Sequence, residues 1–146
     1  MLRLILNVIW LIFGGLELAL LWWLVALIFA ITIIGIPWAR AAFNMGLYTL
    51  WPFGSEAVRR DAATGQEDIG TGPLGMLGNI VWLLLAGWWL ALAHILAAVV
   101  LAITIIGLPL AYVHLKLVPI TLFPIGMMIV SSDQDGPYPV PPRRTR

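Results

Sequence analysis

Two stretches of the chain carry almost no polar side chains. From Leu4 to Trp38 the only acidic or basic residue is Glu17, and from Leu74 to Val113 it is His94. About 18 consecutive apolar residues suffice for a membrane-crossing helix, whereas helices of soluble cores rarely exceed ~20 residues. Strand-type alternation is absent, and backbone in lipid must hydrogen-bond to itself, so both runs read as helices. Each is interrupted at a Gly-x-Pro triplet, Gly35-Ile36-Pro37 and Gly107-Leu108-Pro109. Proline lacks the amide donor and biases its predecessor away from helix, yet suits the first position of a new one. The pattern predicts an all-α integral membrane protein of two tandem repeats. Each repeat is a long transmembrane helix, a Gly-x-Pro break and a shorter membrane helix closed by Trp51-Pro52 or Phe123-Pro124. As one helix, Leu4 to Ile36 would measure about 50 Å against ~30 Å of hydrocarbon, so tilt or a bend is required. Gly14-Gly15 and Gly87 are the expected bends.

The two halves are copies. Asn7–Gly54 aligns without gaps to Asn79–Gly126, with 21 identities in 48 positions. Shared apolar composition does not account for the matching of Asn7 with Asn79, Trp10 with Trp82, Pro52 with Pro124, or Gly54 with Gly126. The run Ala30–Gly35 recurs intact as Ala102–Gly107. The paired Asn-x-x-Trp-Leu openings, the Ile-Gly-[Ile/Leu]-Pro breaks and the Trp-Pro-Phe-Gly and Phe-Pro-Ile-Gly closings resemble the YccF family of bacterial inner-membrane proteins, over about residues 1–130. The resemblance implies a small multi-pass protein with two domains of that type. It implies no settled activity and brings no catalytic residues. Internal repeats build many transport folds, with sites near the repeat interface.

Composition agrees with the pattern, with 62% of residues hydrophobic and 10% charged. The chain divides into a first repeat (1–54), a polar loop (55–73), a second repeat (74–130) and a proline- and arginine-rich tail (131–146) expected to be disordered. If the short helices return across the bilayer, then Arg3, Arg59, Arg60 and the tail arginines share one face. The positive-inside rule makes that face cytoplasmic, together with both termini. There are no cysteines, and two histidines without short-spaced partners offer no metal site. No pattern for catalysis, cofactor binding or nucleic-acid recognition appears, so an enzyme is not expected.

Candidate residues fall into four groups. The breaks at Thr32, Gly35 and Pro37 and at Thr104, Gly107 and Pro109 free backbone groups that either line an ion or solute path or make a plain hairpin turn. Arg40, Asn44 and Tyr48 recur every four residues, with Tyr112 and Lys116 at the positions matching the first two, giving a polar membrane face. These cations either act in a path or snorkel to headgroups. Glu17 needs a charge partner, and Arg40 or Lys116 is the candidate. Asn7 and Asn79 open the repeats as caps or as interhelical hydrogen-bonding groups, while His94 reads as a packing residue. The expected partners are the lipid bilayer, further copies of the chain and another membrane protein. The leading expectation is an oligomeric ion channel or small-solute transporter. Its rivals are a non-catalytic accessory subunit of a larger transporter and a lipid-binding, membrane-organising module.

Overall fold

The architecture is taken from a computed structural model, which describes residues 1–105, 107–132 and 139. The first long helix runs Leu2–Ile31 and the second Pro73–Ala102, 30 residues each. Each has a wide turn in its interior. In the first, α1 (Leu2–Trp10) passes through the π-helical turn Leu11–Gly15 into α2 (Leu16–Ile31). Gly14 adopts φ 127° there, a conformation that strongly favours glycine, and the helix kinks. α3 (Ile36–Leu50) then returns antiparallel along α2. In the second repeat, α5 (Pro73–Trp82) passes through the π turn Leu83–Gly87 into α6 (Trp88–Ala102), and α7 (Leu108–Leu122) returns. The bends lie where the glycines suggested them. The physical cause is the tryptophan one turn earlier, which folds over the glycine: a side chain on Gly15 would overlap the Trp10 ring, and one on Gly87 the Trp82 ring.

The all-α expectation needs correction. β1 (Ser55–Arg59) and β2 (Met127–Ser131) form a two-stranded antiparallel ribbon, and α4 (Arg60–Thr64) follows β1. The ribbon joins segments far apart in sequence, so no local periodicity announces it. Gly54 and Gly126, both at positive φ, turn the chain out of each Pro-x-Gly closing into its strand. The 55–73 segment is therefore structured rather than a plain loop. Arg59 pairs with Asp61 and Arg60 with Asp68, and an Asp68 carboxylate oxygen accepts from the backbone amides of Gly70 and Thr71. The expected disorder of the tail concerns residues that, apart from Ser131, Ser132 and Pro139, lie outside the described ones.

The repeats are arranged about a pseudo-two-fold axis. In the ribbon, Ala57 pairs with Ile129, which stands at the repeat's offset just beyond the aligned residues. In the core, Trp22 touches His94, again matching positions. An axis through both contacts relates the halves. Trp22 meets both His94 and Trp82, and Phe29, two turns further along α2, meets Trp82, so the contact moves toward the start of the second long helix. Trp38, just beyond the first break, donates to the carbonyl of Gly78 near the start of α5. The hairpins thus pass each other head to tail. Between them lies the core, with Trp10, Trp22, Trp82, Leu90, Leu110 and Ile129 at its centre.

Candidate functional site

The repeat interface is filled with aromatic rings. The Trp22 and Trp82 rings stack at 5.5 Å with an 8° interplanar angle, and Trp10 lies 4.4 Å from His114, centroid to centroid. The Trp22 indole N–H donates to His94 Nε2 at 3.4 Å, and His94 Nδ1 lies 3.2 Å from His114 Nδ1. One tautomer assignment satisfies this chain. His94 carries its proton on Nδ1 and donates to His114 Nδ1, which places the His114 proton on Nε2. That Nε2 is buried and has no hydrogen-bond partner among the described residues. It faces the kink, 3.4 Å from where a side chain on Gly14 would begin. His94 and His114 are both 0% exposed. From sequence His94 is expected as a packing residue, and nothing there joins it to His114. Its match to Trp22 was a signal for the Trp22–His94 contact, since residues on a dyad meet their own counterparts, but not for the contact with His114.

Asn7 and Asn79 form matching clamps. The Asn7 side chain donates to the carbonyl of Phe53 and accepts from its amide, both at 3.0 Å. Asn79 makes the same pair with Ile125, at 3.0 and 2.9 Å. A three-residue shift along each helix brings a second tie, with Trp10 donating to the Thr49 carbonyl at 2.7 Å and Trp82 to that of Thr121 at 2.8 Å. These four side chains fasten the start of each long helix to the end of its short helix. This explains why the Asn-x-x-Trp opening and the Pro-x-Gly closing recur together. Neither asparagine caps its helix, and neither bonds between helices through side chains alone.

The two breaks sit at the hairpin tips. Ile33 is 74% exposed and Ile34 84%; in the second repeat Ile103 is 81% and Ile105 86%. The turns satisfy much of their own backbone. Thr32 Oγ1 donates to the Phe29 carbonyl at 2.7 Å and accepts from the Gly35 amide at 3.1 Å. Thr104 repeats this with Leu101 and Gly107, at 3.1 and 3.0 Å. The amides of Ile33 and Ile36 bond to Ala30 and Ile33 carbonyls. Gly35 and Gly107 are buried, and a side chain on either would overlap the preceding turn, while Pro37 and Pro109 begin the return helices. The threonine hydroxyls that the sequence offered as ligands are engaged inside the turn.

The polar face divides. Arg40, Asn44, Tyr112 and Lys116 are exposed, whereas Tyr48 is buried and its hydroxyl lies 3.5 Å from the Ser55 carbonyl. The face drifts about 40° for each four-residue step at 3.6 residues per turn, which carries Tyr48 inward. Glu17 is exposed on α2 and makes no ion pair among the described residues. Arg40 and Asn44 line a cleft of about 490 Å³ between α3 and the start of the second repeat, shared with Trp38, Arg60, Leu74 and Gly126. In the connecting segment, the Arg60 guanidinium holds the Asp68 carboxyl down to about 2, and Arg59 similarly lowers that of Asp61. No group of three metal-ligating side chains occurs among the described residues.

The family described as "Inner membrane component domain", YccF, matches residues 5–55 and again 77–127. The chain is similar to the "Inner membrane protein YccF" of Escherichia coli (strain K12) and to that of Shigella flexneri. Each is 34% identical over 132 residues, covering 88% of this chain and 88% of the relative. No solved structure matches.

Proposed function

Since the chain belongs to the YccF family of inner-membrane components, we propose that it is a non-catalytic membrane-organising module, seated as a two-fold wedge in one leaflet with its ribbon at the cytoplasmic surface. The observation that carries this reading is the ribbon's place on the dyad. Each strand of a two-stranded ribbon has one edge without a partner strand, and such backbone does not belong in hydrocarbon. An axis in the membrane plane would put that ribbon, with Glu56 and Arg59, at mid-bilayer, where charge is costly. An axis along the membrane normal leaves the ribbon at the surface and the tryptophan core beneath it. Two helices related by such an axis rise together, so α2 and α6 can run head to tail only by lying far from the normal. Their outer faces, with Leu20, Leu24 and Leu27 and with Leu92, Leu96 and Val99, then meet acyl chains over a broad front.

The tips support the same placement. A turn emerging into water on the far side would expose several isoleucines and no charge, whereas a turn inside hydrocarbon needs its amides satisfied, as Thr32 and Thr104 do here. The arginines of the ribbon and its connection, Arg59 and Arg60, gather at the ribbon end, and because the positive-inside rule counts Lys and Arg and gives little weight to Asp and Glu, they favour the cytoplasmic side.

Transport through an assembly is the second reading, favoured by the outward exposure of Arg40, Asn44, Tyr112 and Lys116. With the repeat interface packed by rings, a path would have to run between copies or between this chain and a larger partner. Reconstitution separates the two. As a wedge, the protein tubulates or shrinks vesicles with rising protein-to-lipid ratio while they stay ion-tight. Ion or solute flux through vesicles of unchanged shape would overturn the wedge reading in favour of an oligomeric path.

A further inference from the structure

We infer that the cleft between α3 and the start of α5 is a binding site for one anionic phospholipid, with Arg40 holding the phosphate; the inference rests on the surface placement proposed above. The cleft has a polar end and an apolar wall. Arg40 and Asn44 stand one helical turn apart on α3, and Trp38, Met45, Ile69 and Leu74 supply apolar lining. A second guanidinium, that of Arg60, reaches the same cleft, but Asp68 holds it with bonds of 2.7 and 3.0 Å. Arg40 makes no hydrogen bond or ion pair among the described residues. The cleft therefore offers one uncompensated guanidinium, one carboxamide donor and an apolar track.

Those groups match a phosphate diester carrying acyl chains. Guanidinium recognises phosphate through paired N–H donors, and the Asn44 amide adds a third. Arg40 is four residues inside α3, a costly position for a cation in a crossing segment. The cleft explains it, because the head-to-tail packing brings the beginning of α3 beside Arg60 and Gly126 at the foot of the ribbon. With the ribbon at the surface, the long Arg40 side chain reaches up from the acyl boundary to headgroup depth, while the break before α3 stays in hydrocarbon. The second repeat has Tyr112 and Lys116 at the matching positions, so the site belongs to the first repeat alone.

The test is native mass spectrometry of the full chain released from nanodiscs containing phosphatidylglycerol and phosphatidylcholine. One retained phosphatidylglycerol is expected on the native protein. Arg40→Gln should weaken retention about tenfold, as loss of a charge-assisted hydrogen bond implies, while Lys116→Gln keeps it. Arg40→Lys should retain an intermediate share, which shows that charge and not misfolding sets the result. Equal retention in Arg40→Gln and native protein would overturn the site. So would displacement of the lipid by millimolar inorganic phosphate, which would mean that the cleft reads phosphate without its tail. Failure of the wedge itself would register differently, as water access at Ile34 with lipid retention intact.

Discussion

Replacing Asn7 with leucine tests whether the paired asparagines hold the repeats closed. Asn7 is 1% exposed, and its carboxamide satisfies both the amide and the carbonyl of Phe53, at 3.0 Å each. Phe53 follows Pro52, immediately beyond the end of α3, so these groups have no helical partner of their own. Leucine keeps the forked shape with bulkier ends and leaves two part-buried backbone groups unsatisfied. Each such group costs about 1–3 kcal/mol, so the substitution should destabilise by roughly 2–6 kcal/mol. Asn7→Asp keeps the acceptor and loses the donor, setting a carboxylate against the Phe53 carbonyl, and should be no milder. Asn79→Leu should cost a similar amount through Ile125. The two clamps share no partner, so the double variant should be additive within about 0.5 kcal/mol. Reversible unfolding in mixed dodecyl maltoside and sodium dodecyl sulfate, followed by circular dichroism, measures all four variants. An Asn7→Leu protein as stable as the native chain would refute the clamp.

Other consequences are as direct. Thr32→Val removes the hydroxyl that bridges Phe29 and Gly35 and should cost about 1–2 kcal/mol in the same unfolding assay, while Thr32→Ser should restore most of it. Gly14→Ala forces a side chain into φ 127° and toward His114, and should destabilise by at least about 1 kcal/mol, whereas Ala86→Gly, at the matching position without positive φ, should change stability by less. The Asp68 carboxyl, lowered to about 2 by Arg60, is a depressed group, so its contribution is present above the unfolded carboxylate range and lost as pH falls toward 2. Carboxyl NMR should show Asp68 still ionised at pH 3.5, and in Arg60→Gln its titration should move up.

The hairpins were legible because each signal was local. A run of apolar residues, a Gly-x-Pro triplet and a glycine pair mark helix, break and bend within a few residues of themselves. The membrane assignment was legible for the same reason, and the repeated motifs carried the family. What escaped depended on how the halves meet. The ribbon pairs Ser55 with Ser131, and the strands are too short for periodicity to reveal them. His94 and His114 lie on different helices of one hairpin, and nothing in their spacing announces a 3.2 Å contact. Asn7 was singled out for its recurrence, yet its partner is the backbone of Phe53, which has no side-chain signature. The polar stripe was read on an ideal helix face, and drift of that face separated Tyr48 from Arg40 and Asn44. Thr32 and Thr104 were noticed as hydroxyls at a break, and their use in closing the turn is local geometry that a sequence pattern does not distinguish from ligation.

The placement of the tips decides the account. Nitroxide labels at Ile34 and Ile105, with a third at Val58 on the ribbon, report depth through collision with dissolved oxygen and with a water-soluble nickel chelate. One-sided seating predicts both tip labels in an oxygen-rich, nickel-free environment and the ribbon label open to nickel. Nickel access at Ile34 or Ile105 from the opposite face would contradict it, and would make the hairpins true crossings of the bilayer.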